Sequence, residues 1–217
     1  MREDCRLTGV VLQAQPVGEY DRRCVILTRE RGRITAFARG ARRATSPFLA
    51  ATNPFVFARF TLYEGRDAYT FAGAEVIDYF TELAQVQPGV WYGFYFLELA
   101  SYYGQEGMEA YGMVDLLYTA LRALKRESLP PKLIRRIFEC RMMGENGDFA
   151  PPEEPGDLDP GAFYALGYAS GAPFARLFAF SLSETSMEAF AEAVENGRRR
   201  AVDRTLKSLA VIEELGE

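Results

Sequence analysis

Along the first eighty residues hydrophobic and polar positions alternate with the period of two that puts successive side chains on opposite faces of a strand. Residues 6–14 are rich in β-formers, and residues 23–28 form a second apolar run. In residues 33–39, Ile34, Ala36 and Ala38 share one face while Thr35, Phe37 and Arg39 share the other. Between these runs, Arg29-Glu30-Arg31-Gly32 reads as a hairpin loop, with Gly32 able to take a positive φ. Residues 55–63 alternate again, with Val56, Ala58, Phe60 and Leu62 on one side. Residues 64–67 form the next turn, residues 68–72 return antiparallel, and residues 75–80 extend the sheet or begin the connection. Short strands with no long helix between them predict a small closed barrel of five strands.

After Pro88-Gly89 the period becomes helical. Residues 90–103 are apolar nearly all round, the pattern of a central buried helix. Val114, Leu117, Leu121 and Leu124 mark another helix, and Leu133, Ile134, Ile137 and Phe138 a third, opened by Pro130-Pro131. That stripe leaves Arg135 and Arg136 toward solvent. Residues 144–161 are rich in Gly, Pro and acid and read as a loop. Thr185-x-x-Glu188 fits a capping box ahead of Met187, Phe190, Ala191 and Val194, and the Arg198–Arg200 run reads as a solvated helix start. Val202, Leu206, Leu209 and Ile212 mark a last helix. The expected architecture is α+β, with a barrel domain over residues 1–80 and an all-α helical domain over residues 81–217.

Charge changes the picture. Residues 1–66 contain twelve arginines and six acids, a net charge of +6, although the whole chain carries −5, so the remainder carries −11. Such asymmetry points to one part that meets a polyanion and another that does not. No apolar stretch approaches the roughly 20 residues of a membrane span, and MREDCRLTG lacks a signal-peptide core, so a cytoplasmic protein without membrane contact is expected. The chain has no histidine, which excludes a Ser-His-Asp or Cys-His nucleophile built within it and any His-ligated metal site. Cys5, Cys24 and Cys140 lack metal-ligand spacing and read as buried spare thiols. No metal, cofactor or catalytic residue is expected. The carboxylates Glu98, Asp115 and Glu139 on apolar helices are candidate acids or bases for an enzyme reading, and helix-surface charges on the plainer one.

The informative stretch runs from Gly18 to Phe48. It places Arg22 and Arg23 before one strand, Arg29, Arg31 and Arg33 at the hairpin, and Arg39, Arg42 and Arg43 after the next strand. In an antiparallel pair the first and last groups share one end and the hairpin group lies at the other. With Phe37 on the face between them, these residues would form a track for a phosphate backbone. Arginine pairs phosphate oxygens two at a time, and Phe37 and Tyr20 would stack on unpaired bases. On the plainer reading these arginines are solvated, Arg22 pairs with Glu19 or Asp21, and Arg29 or Arg31 pairs with Glu30.

An ordered series of short segments carries a family likeness: Gly9-Val10-Val11-Leu12, Gly18-Glu19 with Asp21-Arg22, Leu27-Thr28, Gly32-Arg33-Ile34, and Ala38-Arg39-Gly40-Ala41-Arg42-Arg43 with Ser46. Asn53-Pro54-Phe55, Leu62-Tyr63, Phe96-Leu97-Glu98-Leu99 and Leu206-Lys207-Ser208-Leu209 continue it. In this series the chain resembles the RecO family, bacterial mediators of recombinational DNA repair. The resemblance covers residues 5–143 and returns near residues 186–215. It implies an N-terminal OB-fold ahead of the helical domain, and binding of single- and double-stranded DNA. It also implies annealing of complementary strands, help in loading the RecA recombinase, and RecR and the tail of the single-stranded-DNA-binding protein as partners. Carried onto this chain, the family's DNA contacts fall on Arg22, Arg33, Arg39, Arg42 and Arg43. Many relatives carry a four-cysteine zinc module where this chain has residues 145–175, an interval without cysteine, so no zinc is expected. The competing reading is a protein-only adaptor with an OB-like barrel and no DNA affinity.

Overall fold

A computed structural model of the chain describes residues 4–85 and 88–214. Five strands, β1 (Asp4–Val17), β2 (Asp21–Thr28), β3 (Gly32–Ala38), β4 (Phe57–Tyr63) and β5 (Tyr69–Asp78), close into a barrel in the order β1-β2-β3-β5-β4. The connection from β3 to β4 carries one short helix, α1 (Phe48–Ala51). The other helices are α2 (Gly89–Tyr103), α3 (Tyr111–Leu124), α4 (Pro131–Glu145), α5 (Pro160–Gly171), α6 (Glu184–Ala201) and α7 (Lys207–Glu214). This is the OB-fold barrel followed by helices that the alternating pattern and the family likeness predicted.

The long strand β1 serves two neighbours, and a short parallel pairing of β3 with β5 completes the ring. Its first part pairs with β4, from Asp4↔Tyr63 to Val10↔Phe57, and its later part with β2, from Gly9↔Thr28 to Val17↔Asp21. The register slips between Val11 and Gln13, a bulge of the kind that bends a strand enough to serve two neighbours. Inward residues Ile26, Ile34, Ala36, Ala38, Phe60, Leu62 and Phe71 fill the interior. Phe71 stands edge-on to both Phe48 and Phe60, with ring centroids 5.1 and 5.7 Å away. The segments expected as residues 68–72 and 75–80 are one strand, β5. The hairpin turn forms as predicted, with Gly32 at φ 63° and the buried Thr28 hydroxyl accepting from the Arg31 N–H and donating to the Gly32 carbonyl.

Packing divides the chain into two compact units. The first holds the barrel, through Thr81, together with Leu97–Val114. The second holds Glu82–Phe96 and Asp115–Glu217. In the second unit α4 packs against α5 and α6, and Phe96 stacks on Phe138 with centroids 4.1 Å apart.

Three expectations in this unit are corrected. Arg135, placed on solvent by the apolar stripe, is only 5% exposed, and Glu139 is fully buried. Glu139 accepts from the Tyr95 hydroxyl at 2.6 Å, Arg135 Nε at 2.9 Å and an Arg136 terminal nitrogen at 2.8 Å. The stripe marks one face of α4, whereas packing covers more of it, and the helix meets that burial by pairing its own charges at i, i+3 and i, i+4. The cap of α6 is Ser183, whose hydroxyl accepts from the Ser186 N–H, and not Thr185, which lies inside the helix. Arg198, Arg199 and Arg200 occupy the last turn of α6, not its start, where cations favour the helix dipole.

Candidate nucleic-acid interface

The turn from β1 to β2, Gly18 to Tyr20, and the loop after β3 lie side by side at one end of the barrel. Asp21 accepts from the Gly40 N–H at 2.7 Å, and the Arg42 N–H donates to the Tyr20 carbonyl at 2.8 Å. Gly40 supplies the left-handed residue the bend requires, at φ 65°. The Arg42 guanidinium reaches the Glu19 and Gly18 carbonyls, and that of Arg43 lies 4.8 Å from the Tyr20 ring centroid. The loop is thereby fixed with Arg39, Arg42 and Arg43 all exposed. Arg22 joins this end with a structural duty: one terminal nitrogen donates to Asn53 Oδ1, Thr52 Oγ1 and the Leu49 carbonyl at 2.8, 2.9 and 3.0 Å.

Between the two ends runs the outer face of β2 and β3. Arg23 pairs across the strands with Phe37 and donates to Thr35 Oγ1 at 3.4 Å. Phe37 is 37% exposed, a large aromatic left uncovered at the centre of the face.

The hairpin end differs. The Arg33 N–H donates to the Gln105 carbonyl, and the Gly107 and Ala110 N–H groups donate to the Arg31 and Arg29 carbonyls. The Arg33 guanidinium donates to the Ser101 carbonyl at 2.7 Å, and that of Arg29 lies 5.7 Å from the Phe57 ring. Acids stand at this end as Glu19 and Asp21 do at the other. Burial raises the Tyr69 hydroxyl pKa, Glu64 and Glu106 raise it further, and Arg31 opposes them. Of the nine expected positions, the structure gathers Arg22, Arg39, Arg42 and Arg43 at one end and sets Arg23 and Phe37 beside them. Arg29, Arg31 and Arg33 stand apart, at a tip bonded to residues 101–110.

The expected pairing of Arg22 with Glu19 or Asp21 does not form. Among the described residues no carboxylate lies within ion-pair distance of Arg22, Arg23, Arg31, Arg33, Arg39, Arg42 or Arg43. Glu30 accepts from the Thr8 N–H at 2.9 Å. Arg22, Arg23, Arg33, Arg42 and Arg43 rest against neutral oxygens and an aromatic face, so their guanidinium groups are fixed in orientation while their charge stays unneutralised.

The structure adds one residue that sequence reasoning missed. Register places Gln15, Arg23, Phe37, Thr70 and Tyr63 in one transverse row across β1, β2, β3, β5 and β4. Tyr63, 37% exposed, thus lies two strands from Phe37, about 10 Å at the usual strand spacing. Its outward position was legible in the alternation of residues 55–63. Its place in the Phe37 row was not, because β3 and β5 are parallel and far apart in sequence.

Other candidate chemistry is absorbed by the fold. Among the described residues no group of three or more Cys, Asp or Glu is placed to hold a metal ion. Burial pushes the thiols of Cys24 and Cys140 up to about 11, which leaves them protonated at neutral pH. Among the described residues no helix is long and apolar enough to cross a membrane.

Comparison with known proteins matches residues 1–80 to the family model described as Recombination protein O N terminal. A DNA repair protein RecO of Alkaliphilus metalliredigens is 35% identical over 139 residues, 64% of this chain and 56% of the relative. Another, of Desulforudis audaxviator, is 36% identical over 143 residues, 66% of this chain and 56% of the relative. A third, of Heliobacterium modesticaldum, is 40% identical over 78 residues, 36% of this chain and 29% of the relative. The first two matches thus span a little over half the length of those relatives.

Proposed function

We propose that the chain is a RecO-like, non-catalytic mediator of DNA repair and recombination whose barrel holds DNA, a reading that its similarity to RecO proteins supports. The observation that carries this reading is the set of oriented but unneutralised guanidinium groups beside the exposed Phe37. OB-folds hold oligonucleotides on the strand 2–3 face and the flanking loops, which is where Arg23, Phe37 and the turn at Gly18–Tyr20 lie. Arg39, Arg42 and Arg43 would pair phosphates and release counterions, while Phe37 and Tyr63 would stack on unpaired bases. Neutralising two backbones lowers their mutual repulsion, so strand annealing follows from the same surface, with base pairing supplying the recognition. Single- and double-stranded DNA as ligands, help in recombinase loading, and RecR and the single-stranded-DNA-binding protein tail as partners complete the proposal.

The test is fluorescence anisotropy of labelled single-stranded DNA across a salt series. Affinity is expected to fall steeply with salt, and Arg43→Glu is expected to weaken binding to every sequence alike. Phe37→Ala is expected to weaken single strands more than duplex, since base stacking contributes about 1–3 kcal/mol per base. Salt-independent binding, or none, would favour the protein-only adaptor.

A further inference from the structure

A second surface, chemically opposite to the first, lies within the helical unit. Residues 142–175 contain Glu145, Asp148, Glu153, Glu154, Asp157 and Asp159 and no lysine or arginine. Two of these acids are engaged: Glu145 pairs with Arg141 at 2.8 Å, and Asp159 caps α5 by accepting from the Ala162 N–H at 2.9 Å. Asp148, Glu153, Glu154 and Asp157 are exposed, and none has an ion-pair partner among the described residues. In the same stretch Pro151, Pro152, Phe163, Tyr164, Gly167 and Tyr168 line an open, largely apolar groove of about 440 Å³.

The groove wall is aromatic. Tyr164, 62% exposed, stacks on Tyr168 with ring centroids 5.8 Å apart. Tyr168 is held in turn by Phe180, edge-on at 5.2 Å, and by its hydroxyl donating to the Arg176 carbonyl at 2.9 Å. Gly167 lies inside α5, where glycine weakens a helix, yet a Cβ there would meet nothing within 4 Å. The helix backbone is thus open to a ligand at that point.

We propose that this groove docks an extended, basic segment of a partner protein. A proline or aliphatic side chain enters between Pro152 and the tyrosines, and flanking lysines or arginines meet the ring faces and the carboxylates of Glu153 and Glu154. Aromatic grooves suit extended proline-containing segments, and stacked tyrosine faces attract cations. Charge selects the occupant: Arg141, whose guanidinium bonds the Ser170 and Ala172 carbonyls, is offset by its ion pair with Glu145, so the unpaired carboxylates of Glu153 and Glu154 favour a basic segment over an acidic one.

The test uses the isotope-labelled full-length chain and two short synthetic peptides, an Arg-Pro-Leu repeat and the matching Glu-Pro-Leu repeat, followed by NMR titration. Shifts centred on residues 151–172 are expected with the arginine peptide alone. Its affinity should fall about tenfold in Glu153→Lys/Glu154→Lys and in Tyr164→Ala, both at exposed positions that leave the fold intact by circular dichroism. Absence of shifts in that segment, a preference for the glutamate peptide, or unchanged affinity in these variants would overturn the proposal. Concentration-dependent self-association by sedimentation, abolished by Tyr164→Ala, would overturn it in favour of a second copy of this chain.

Discussion

Arg22 and Arg23 are adjacent and chemically identical, yet the barrel gives them opposite roles. Arg22 ties β2 to residues 49–53 through three acceptors, while Arg23 lies on the open face opposite Phe37. Arg22→Ala should lower stability by about 1–3 kcal/mol, seen as a lower urea midpoint, because it leaves those acceptors without their donor. Arg23→Ala should change stability by less than about 0.5 kcal/mol, leaving the midpoint nearly unmoved, while weakening DNA binding. If the two variants lost stability equally, the distinction between anchor and contact would fail. Glu195 offers a second residue-level test. Burial would raise its carboxyl pKa, but hydrogen bonds from Arg198, Arg136 and Arg199 outweigh burial and hold it well below the usual 4.5. A depressed carboxyl stabilises the fold above its unfolded pKa, and that contribution is lost as pH falls through the acid range below about 4.5. Glu195→Gln should therefore show a shallower acid limb in thermal melts between pH 5 and pH 2, and an unchanged limb would count against the network.

At the scale of elements, the β2–β3 hairpin shows how one glycine governs a junction. Gly32 sits at φ 63°, and a Cβ there would collide with the Gln105 and Met108 carbonyls. Gly32→Ala must open the junction with residues 101–110, with backbone strain and broken hydrogen bonds together costing about 1–3 kcal/mol. Faster amide exchange at Arg33, Gly107 and Ala110 would report the opening, and native-like protection there would refute it. The turn and the strand alternation were legible in the sequence because only one face of each strand is buried, which imposes a period of two. The junction with residues 101–110 was not, since backbone pairing leaves no mark on side-chain chemistry. Nor was the burial of Arg135 and Glu139: a helix packed by several neighbours loses the single-stripe signal, and charges paired within it look like surface charges. The cap of α6 was hidden for another reason. Ser183 and Thr185 both offer a hydroxyl, and the backbone at Ser183, φ −63° and ψ 162°, decides between them.

For the whole chain, net charge was the most legible feature and the least able to locate a site. A +6 excess over residues 1–66 says that the N-terminal part favours a polyanion, but it weights Arg31 and Arg43 equally. The fold does not. Acids stand near the arginines at both ends, Glu19 and Asp21 beside the Arg39–Arg43 loop and Glu64 and Glu106 in the field of Arg31, but at the hairpin end backbone pairing with residues 105–110 also occupies the tip. A phosphate backbone should therefore be held mainly at one end of the β2–β3 face. Every phosphate left without its cation lowers the slope of log affinity against log salt by about 0.7 for a single strand. Arg39→Glu/Arg43→Glu should lower that slope by about 1.4 and weaken binding at every salt concentration. Arg29→Glu/Arg31→Glu removes the same formal charge but should leave the slope nearly unchanged, with only a modest drop in affinity through the weaker long-range field. Equal slopes in the two double variants would mean that the strand runs the full length of the face, as the sequence pattern alone suggested, and that bonding at the hairpin yields when DNA arrives.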